Sequence, residues 1–247
     1  MEATVAGILC IIQARMNSTR LPGKVLMPLA GKPMLEWVVD AAQESKLIDK
    51  VIVATGAHIS NKPINEFCNE KGIDLFIGSL DDVLDRFYAV ATLLKPTHIV
   101  RLTADCPLLT GDIIDSTIRS YLYKNLFYIY NNIDGLDAEV FPYTELLRAH
   151  KLSANKQNRE HVTPYIKGYV KEYGEQVLYY RRGVNIDDVF SVNTQEEFDR
   201  MEGILSGLQS YVVQTRETGR GGGNGSDSNK TIFGESLTAG GGGYNET

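Results

Sequence analysis

Residues 13–24 read Gln13-Ala14-Arg15-Met16-Asn17-Ser18-Thr19-Arg20-Leu21-Pro22-Gly23-Lys24, so three cations and the Ser18 hydroxyl share one polar segment. The segment follows residues 5–12 (VAGILCII), an uninterrupted apolar run of the kind a strand buried on both faces requires. Cations placed there suit a polyphosphate. A nucleoside triphosphate carries about four negative charges, and transfer of its α-phosphorus needs charge neutralised on the attacked phosphate and on the departing pyrophosphate. Arginine presents a planar fork to two phosphate oxygens, and lysine a movable point charge. Backbone N–H groups around Ser18 can form an anion-binding nest. The competing reading is a solvated basic loop. The P-loop pattern GxxxxGK[ST] is absent.

Three further groups could share the work. Asp105 stands just past the strand expected at residues 98–102 (HIVRL), facing the cationic segment. A carboxylate there is where a hard divalent ion belongs; a turn beside Pro107 is the alternative. Asp137 and Glu139 have the i, i+2 spacing that puts two side chains on one face of an extended segment. They suit acceptor hydroxyls, a metal shell, or plain solvation. His161 follows Arg159 and Glu160 at an expected helix start, where the dipole favours an anion, although a lone histidine equally serves packing.

The elements that must hold these groups alternate. Strands are expected at residues 51–54, 75–77, 98–102 and 127–130, and helices from residue 33 and at 62–71, 81–94 and 112–123. This rhythm means right-handed crossovers and an α/β fold with a mostly parallel central sheet flanked by helices. In such sheets ligands lie beyond the carboxyl ends of the strands, where both residues 13–24 and Asp105 fall. From about Gly135 the rhythm changes. Helices at 143–151 and 159–173 flank less regular segments, followed by a strand at 177–180 and a strand–helix unit over 189–205. Thr194 and Glu197 form a capping box before that last helix. Beyond residue 215 the chain turns Gly-rich, so residues 1–215 are expected to form the domain and 216–247 a flexible tail or a linker to a further domain.

Composition narrows the classes. The 247 residues contain 43% hydrophobic and 23% charged side chains, ordinary for a globular core. A net charge of −6, from 25 basic and 31 acidic residues, speaks against broad nucleic-acid binding. Cys10, Cys68 and Cys106 show no CxxC spacing, the pattern of a reducing compartment, and Cys10 reads as a buried thiol. Residues 1–6 lack the basic start of a signal peptide, and no apolar run approaches the roughly 18 to 20 residues that span a bilayer. The expected location is the cytoplasm, without membrane contact.

The segment at residues 13–24 resembles the opening signature of the cytidylyltransferase family that includes spore-coat polysaccharide protein F and, more distantly, the acylneuraminate and 3-deoxy-manno-octulosonate enzymes. Arg101-Leu-Thr-Ala-Asp105-Cys-Pro107 is similar to the family's strand that ends in an Asp before a Pro. Gly135-Leu-Asp137-Ala-Glu139-Val-Phe141 and Arg159-Glu160-His161-Val-Thr-Pro164-Tyr165 resemble two later blocks. The resemblance implies a nucleotide-diphospho-sugar transferase (Rossmann-like) fold. It implies transfer of CMP from CTP to a small acidic sugar, sugar derivative or phosphonate, with release of pyrophosphate and with Mg²⁺ or another divalent cation. Arg15, Lys24 and Asp105 would be catalytic. Gln13, Ala14, Ser18, Arg20 and Arg101 would join them around the nucleotide, and Asp137, Glu139, Arg159 and His161 would bind the acceptor. Asp105 would ligate the metal. One position departs, since Asn193 stands where relatives commonly carry an Asp before the last helix. Asp187, beside Asp188, is then the expected second ligand, unless waters and phosphate oxygens complete the shell. A glycosyltransferase using a nucleotide-sugar donor is the rival enzyme, although Asp105-Cys-Pro107 lacks the DxD pair such enzymes use. A non-catalytic nucleotide-binding module, a homodimer and a fused downstream domain also stay open.

Overall fold

The computed structural model describes residues 7–131, 133–171, 176–178 and 189–219. In chain order the elements begin with β1 (Ile8–Gln13), β2 (Pro28–Leu29), β3 (Lys32–Pro33), α1 (Met34–Glu44), β4 (Lys50–Gly56), α2 (Lys62–Lys71), β5 (Leu75–Gly78) and α3 (Val83–Leu94). They continue with β6 (His98–Thr103), α4 (Gly111–Tyr123), β7 (Ile129–Asn131), β8 (Glu139–Pro142), α5 (Tyr143–Leu152), α6 (Lys156–His161), α7 (Pro164–Lys171), β9 (Gln176–Leu178) and α8 (Gln195–Gly219).

Among the described residues seven strands form one sheet in the order β5-β4-β1-β6-β8-β7-β9. Strands β5, β4, β1 and β6 are mutually parallel, β8 is antiparallel to both its neighbours, and β7 and β9 are parallel. The sheet is therefore mostly parallel with helices on both faces, as the alternation of elements implied. The winding reverses at β1, with β4 on one side and β6 on the other. Gln13 and Thr103, the last residues of β1 and β6, are register partners. The two segments that carry Lys24 and Asp105 thus leave from adjacent strand ends, at the switch point where such sheets bind ligands.

Strand β1 is apolar throughout because it has a core on each face. Leu9 and Ile11 pack with Leu84 and Phe87 of α3 and Leu146 of α5, while Cys10 and Ile12 pack with Leu35 of α1, Ile114 of α4 and Met201 of α8. The three cysteines are free and buried, and burial pushes the Cys10 thiol up. No helix among the described residues is long and apolar enough to cross a membrane.

Several expectations are corrected. Residues 139–142 form β8, inserted between β6 and β7; Glu139 interrupts its apolar pattern and hides the strand in the sequence. The single helix expected at 159–173 is two helices, parted at Val162 and Thr163. Pro164 lacks an N–H and forces the residue before it out of the helical region, and Val162 adopts φ +69°. Residues 189–194 run as a loop, not a strand. That loop is tied down by Phe190 N–H donating to the Asp134 carbonyl and Val192 N–H donating to the Asp105 carbonyl (both 2.9 Å). The capping box forms as expected, with Glu197 N–H donating to Thr194 Oγ1 (3.3 Å) and Thr194 N–H to Glu197 Oε2 (3.0 Å). Helix α8 runs to Gly219, past the sequence boundary after residue 215, and residues 220–247 lie outside the described residues.

Gly135 permits this arrangement, because its φ is +82° and a Cβ there would lie 2.1 Å from the Phe190 carbonyl carbon and the Ser191 nitrogen. Gly135→Ala should lower the unfolding free energy by roughly 1–3 kcal/mol through overpacking and strain, read from the urea midpoint at constant m-value.

Candidate active site

The cationic segment is a closed loop. The Met16 carbonyl accepts the N–H groups of Ser18 (3.0 Å) and Gly23 (2.8 Å), and Ser18 Oγ accepts the Leu21 N–H (3.3 Å). Gly23 turns the chain at φ +74° into a 3₁₀ turn at Lys24–Leu26, which carries Lys24 inward. The Lys24 side chain is only 8% exposed. Its Nζ donates to Asp105 Oδ2 (2.8 Å), the Val192 carbonyl (2.6 Å) and Asn193 Oδ1 (3.0 Å). Lys24 and Asp105 do meet, but as a clamp joining three segments rather than as two open groups. Asn193 turns its oxygen to that ammonium and donates its Nδ2 to Ser191 Oγ (3.0 Å). A neutral amide serves there as partner to a lysine.

Gln13, Arg15, Ser18, Arg20, Lys24, Asp105 and Asn193 line one cavity of about 160 Å³. Arg15 and Arg20 are exposed. Arg15 approaches Glu160 at 3.8 Å, a loose surface pair that an anion can displace. Ala14 is brought elsewhere, since its side chain is buried in the core and its N–H donates to the Ala54 carbonyl (3.2 Å).

Thr103 lines this cavity and also a second one of about 310 Å³, shared by Arg101, Tyr130, Asp134, Asp137, Glu139 and Lys167. Arg101, expected at the nucleotide, lines this second cavity and shares its face of β6 with Thr103, two residues on. It donates from Nη1 to Glu139 Oε2 (2.5 Å) and from Nη2 to Gln13 Oε1 (3.1 Å). Glu139 Oε1 in turn accepts from the Tyr128 hydroxyl (2.7 Å), Thr163 Oγ1 (3.0 Å) and Lys167 Nζ (2.9 Å). Burial alone would raise the Glu139 carboxyl, but Arg101 and Lys167 bring it down to about 2. Four donors already engage this carboxylate, so Glu139 brackets two cations rather than standing open for acceptor hydroxyls. Asp137 differs. Burial, helped by Asp134 and Glu139, raises it to about 6 against the opposing Gly135 N–H and Lys167. Lys167 went unnoticed in the sequence, because only the break at Pro164 turns that face of α7 toward β8. Its Nζ also lies 4.7 Å from the Tyr130 ring centroid.

Arg159 and His161 line neither cavity. Arg159 is committed to Asp82 Oδ2 (2.5 Å), next to the start of α3, and to the carbonyls of His150 and Ser153. Its place in the last turn of α6 aims it at α3 and the end of α5, so it is structural, and His161 is exposed. Asp187 and Asp188 lie outside the described residues. Among the described residues no three His, Cys, Asp or Glu side chains gather as a metal cage. A single carboxylate at the cavity, Asp105 with 27% of its side chain exposed, still fits Mg²⁺, which keeps several waters and takes further oxygens from substrate phosphates.

A family model described as cytidylyltransferase matches residues 9–217. Protein MJ1063 of Methanocaldococcus jannaschii is 42% identical over 161 residues, which is 64% of this chain and 66% of that protein. The spore coat polysaccharide biosynthesis protein SpsF of Bacillus subtilis is 36% identical over 178 residues, covering 69% of this chain and 74% of its own length. The structure of a cytidylyltransferase from Leptospira borgpetersenii superposes with a TM-score of 0.75 at 24% identity, covering 87% of this chain and 95% of that one. This last likeness speaks for the fold.

Replacing Glu139 by Gln removes one member of a buried charge cluster and should cost roughly 3–5 kcal/mol in urea unfolding. The folded carboxyl lies below its ordinary value of 4.5. Its stabilisation is therefore complete above that pH and lost as the pH falls through about 2. The Gln variant should lack this acid-dependent loss.

Proposed function

The chain belongs to the cytidylyltransferase family, and from that premise we propose that it transfers CMP from CTP to a small acidic sugar, sugar derivative or phosphonate, releasing pyrophosphate. The observation that supports this reading is the pair of cavities meeting at Thr103, one lined by the cationic loop and the other by Lys167 and carboxylates. The first suits a triphosphate and the second a polar acceptor with one anionic group.

In the proposed step an acceptor hydroxyl oxygen attacks the α-phosphorus. A new P–O bond forms, the bond from the α-phosphorus to the bridging oxygen breaks, and pyrophosphate leaves with that electron pair. The hydroxyl proton passes to the Asp137 carboxylate, whose raised affinity suits a base working near neutral pH. Arg15 and Arg20, exposed at the rim, hold the departing pyrophosphate. Lys24 meets the α-phosphate by exchanging one of its three internal partners. Lys167 takes the acceptor's anionic group while Glu139 holds both Lys167 and Arg101 in place. Asp105 would hold a divalent cation, which supplies charge neutralisation on the phosphates when bound. The remaining ligands would come from water and phosphate oxygens, with Asn193 engaged by Lys24.

Protein supplied with Mg²⁺ and CTP should release pyrophosphate with at least one member of a panel of acid sugars and phosphonates. CTP at about 100 times its Kd should add roughly 2.7 kcal/mol of stability. Stabilisation by a nucleotide-sugar instead, with no pyrophosphate released, would transfer the case to a glycosyltransferase. Arg15→Ala should lower kcat/KM by about 10²-fold, in the range seen when one preorganised donor is lost, while leaving Tm unchanged. The wild-type rate should fall as the pH drops below about 6, where Asp137 takes up its proton. In Asp137→Asn the rate should be low at every pH, and that limb should vanish.

A further inference from the structure

Asn61 lies between β4 and α2, outside both cavities, and is 1% exposed. A buried primary amide needs partners at both ends, and those of Asn61 belong to two different segments. Its Oδ1 accepts the N–H of Met16, 45 residues away in sequence, at 2.9 Å. Its Nδ2 donates to the Gly56 carbonyl at the end of β4 (2.8 Å). The Asn61 backbone N–H donates to the His58 carbonyl (3.0 Å), which fixes where the side chain starts.

Met16 is the peptide on which the cationic loop turns, because its carbonyl takes the N–H groups of both Ser18 and Gly23. The ring closed on that carbonyl carries Ser18 and Arg20, with Arg15 immediately before it and Lys24 immediately after it. The N–H of the same residue is held by Asn61. A second tie runs alongside. The Ala54 carbonyl accepts the Ala14 N–H and, at 3.4 Å, Nη1 of the buried Arg86. Arg86 also fastens the turn after β5 through the carbonyls of Ser79 and Leu80. The loop after β1 is thus moored to the end of β4 at two consecutive points, and the more forward mooring depends on one side chain.

We infer that Asn61 is a positioning residue for polyphosphate binding, setting the shape of the loop at Met16 before any ligand arrives. This rests on the reading of that loop as the triphosphate site. A loop already ordered by protein bonds loses less freedom when it binds, and that difference appears as affinity. Without the amide, the Met16 N–H loses its partner, the Gly56 carbonyl is left with the His58 N–H (2.8 Å), and the ring can turn as a unit away from the cavity. The residue acts through the loop. The acceptor cavity, built on β6, β8 and α7, should not feel its loss.

The test is calorimetric titration of wild type, Asn61→Leu and Asn61→Ala with CTP and, separately, with inorganic tripolyphosphate, each with Mg²⁺. Circular dichroism establishes that each variant is folded, and Asn61→Ser stands in for any that is not. Loss of one or two net hydrogen bonds corresponds to about a ten-fold weaker Kd for tripolyphosphate. The same substitution in an Arg15→Ala background should cost clearly less, because both residues work through one loop. A folded Asn61 variant with wild-type affinity for tripolyphosphate overturns the inference, whatever its Tm. Equal losses with and without Arg15 would likewise overturn it, as the mark of a diffuse structural role. Wild type that binds tripolyphosphate but not CTP refutes the cytidylyl reading and leaves the Asn61 comparison intact. Binding neither refutes both.

Discussion

A buried ammonium needs oxygen around it, and the protein supplies three oxygens from two places in the chain. Lys24 arrives from the loop after β1, Asp105 from the end of β6, and Val192 with Asn193 from the loop before α8. The three segments are tied to one another, through the lysine and through the Val192 N–H on the Asp105 carbonyl. The cluster carries one formal negative charge against one positive, with two neutral dipoles completing the ammonium's shell. A second carboxylate at residue 193 would leave it net negative. With Asn193 the cluster is balanced.

The second cavity is organised by a different device. Glu139 is almost fully buried and is surrounded by Arg101, Lys167, Tyr128 and Thr163. Burying a charge is costly unless it is paired and hydrogen-bonded, and here both conditions are met. The carboxylate in turn fixes two cations that would otherwise sweep through many rotamers. Asp137, two residues earlier on the same segment, receives no such company. It is left with a raised proton affinity in a partly enclosed cavity. Two neighbouring carboxyls thereby diverge, one held firmly as an anion and the other able to exchange a proton near neutrality.

The sheet accounts for why the two cavities touch. Strands β1 and β6 end side by side at Gln13 and Thr103, and β8 enters antiparallel beside β6. Because β8 runs the other way, its first residue, Glu139, lies opposite Arg101 near the ligand end of the sheet. A parallel strand in that place would begin at the far end. Reversal of one strand therefore brings the second cavity to the mouth of the first. Gly135, whose hydrogen lets the chain of residues 190–191 pass close by, allows the loop before α8 to fold over the same edge.

The amino-acid sequence by itself determined the architecture of the first half and the location of the cationic loop. Its signals there are local: an unbroken apolar run for β1, helical spacing in α1 and α3, and three cations grouped where a strand ends. The family resemblance was legible for the same reason, since its blocks are contiguous. Only the tertiary structure decided what each site residue is free to do. Arg101 lines the second cavity and is engaged by Glu139, Arg159 is absorbed by Asp82, and Lys24 and Glu139 are already bonded from within. Lys167 and Asn61 carried no pattern of their own, because their partners lie far away along the chain. Residue type states which bonds a side chain could make. Whether those bonds are already taken depends on strand order, the break at Pro164 and the reversal of β8, which bring together groups that the sequence keeps apart.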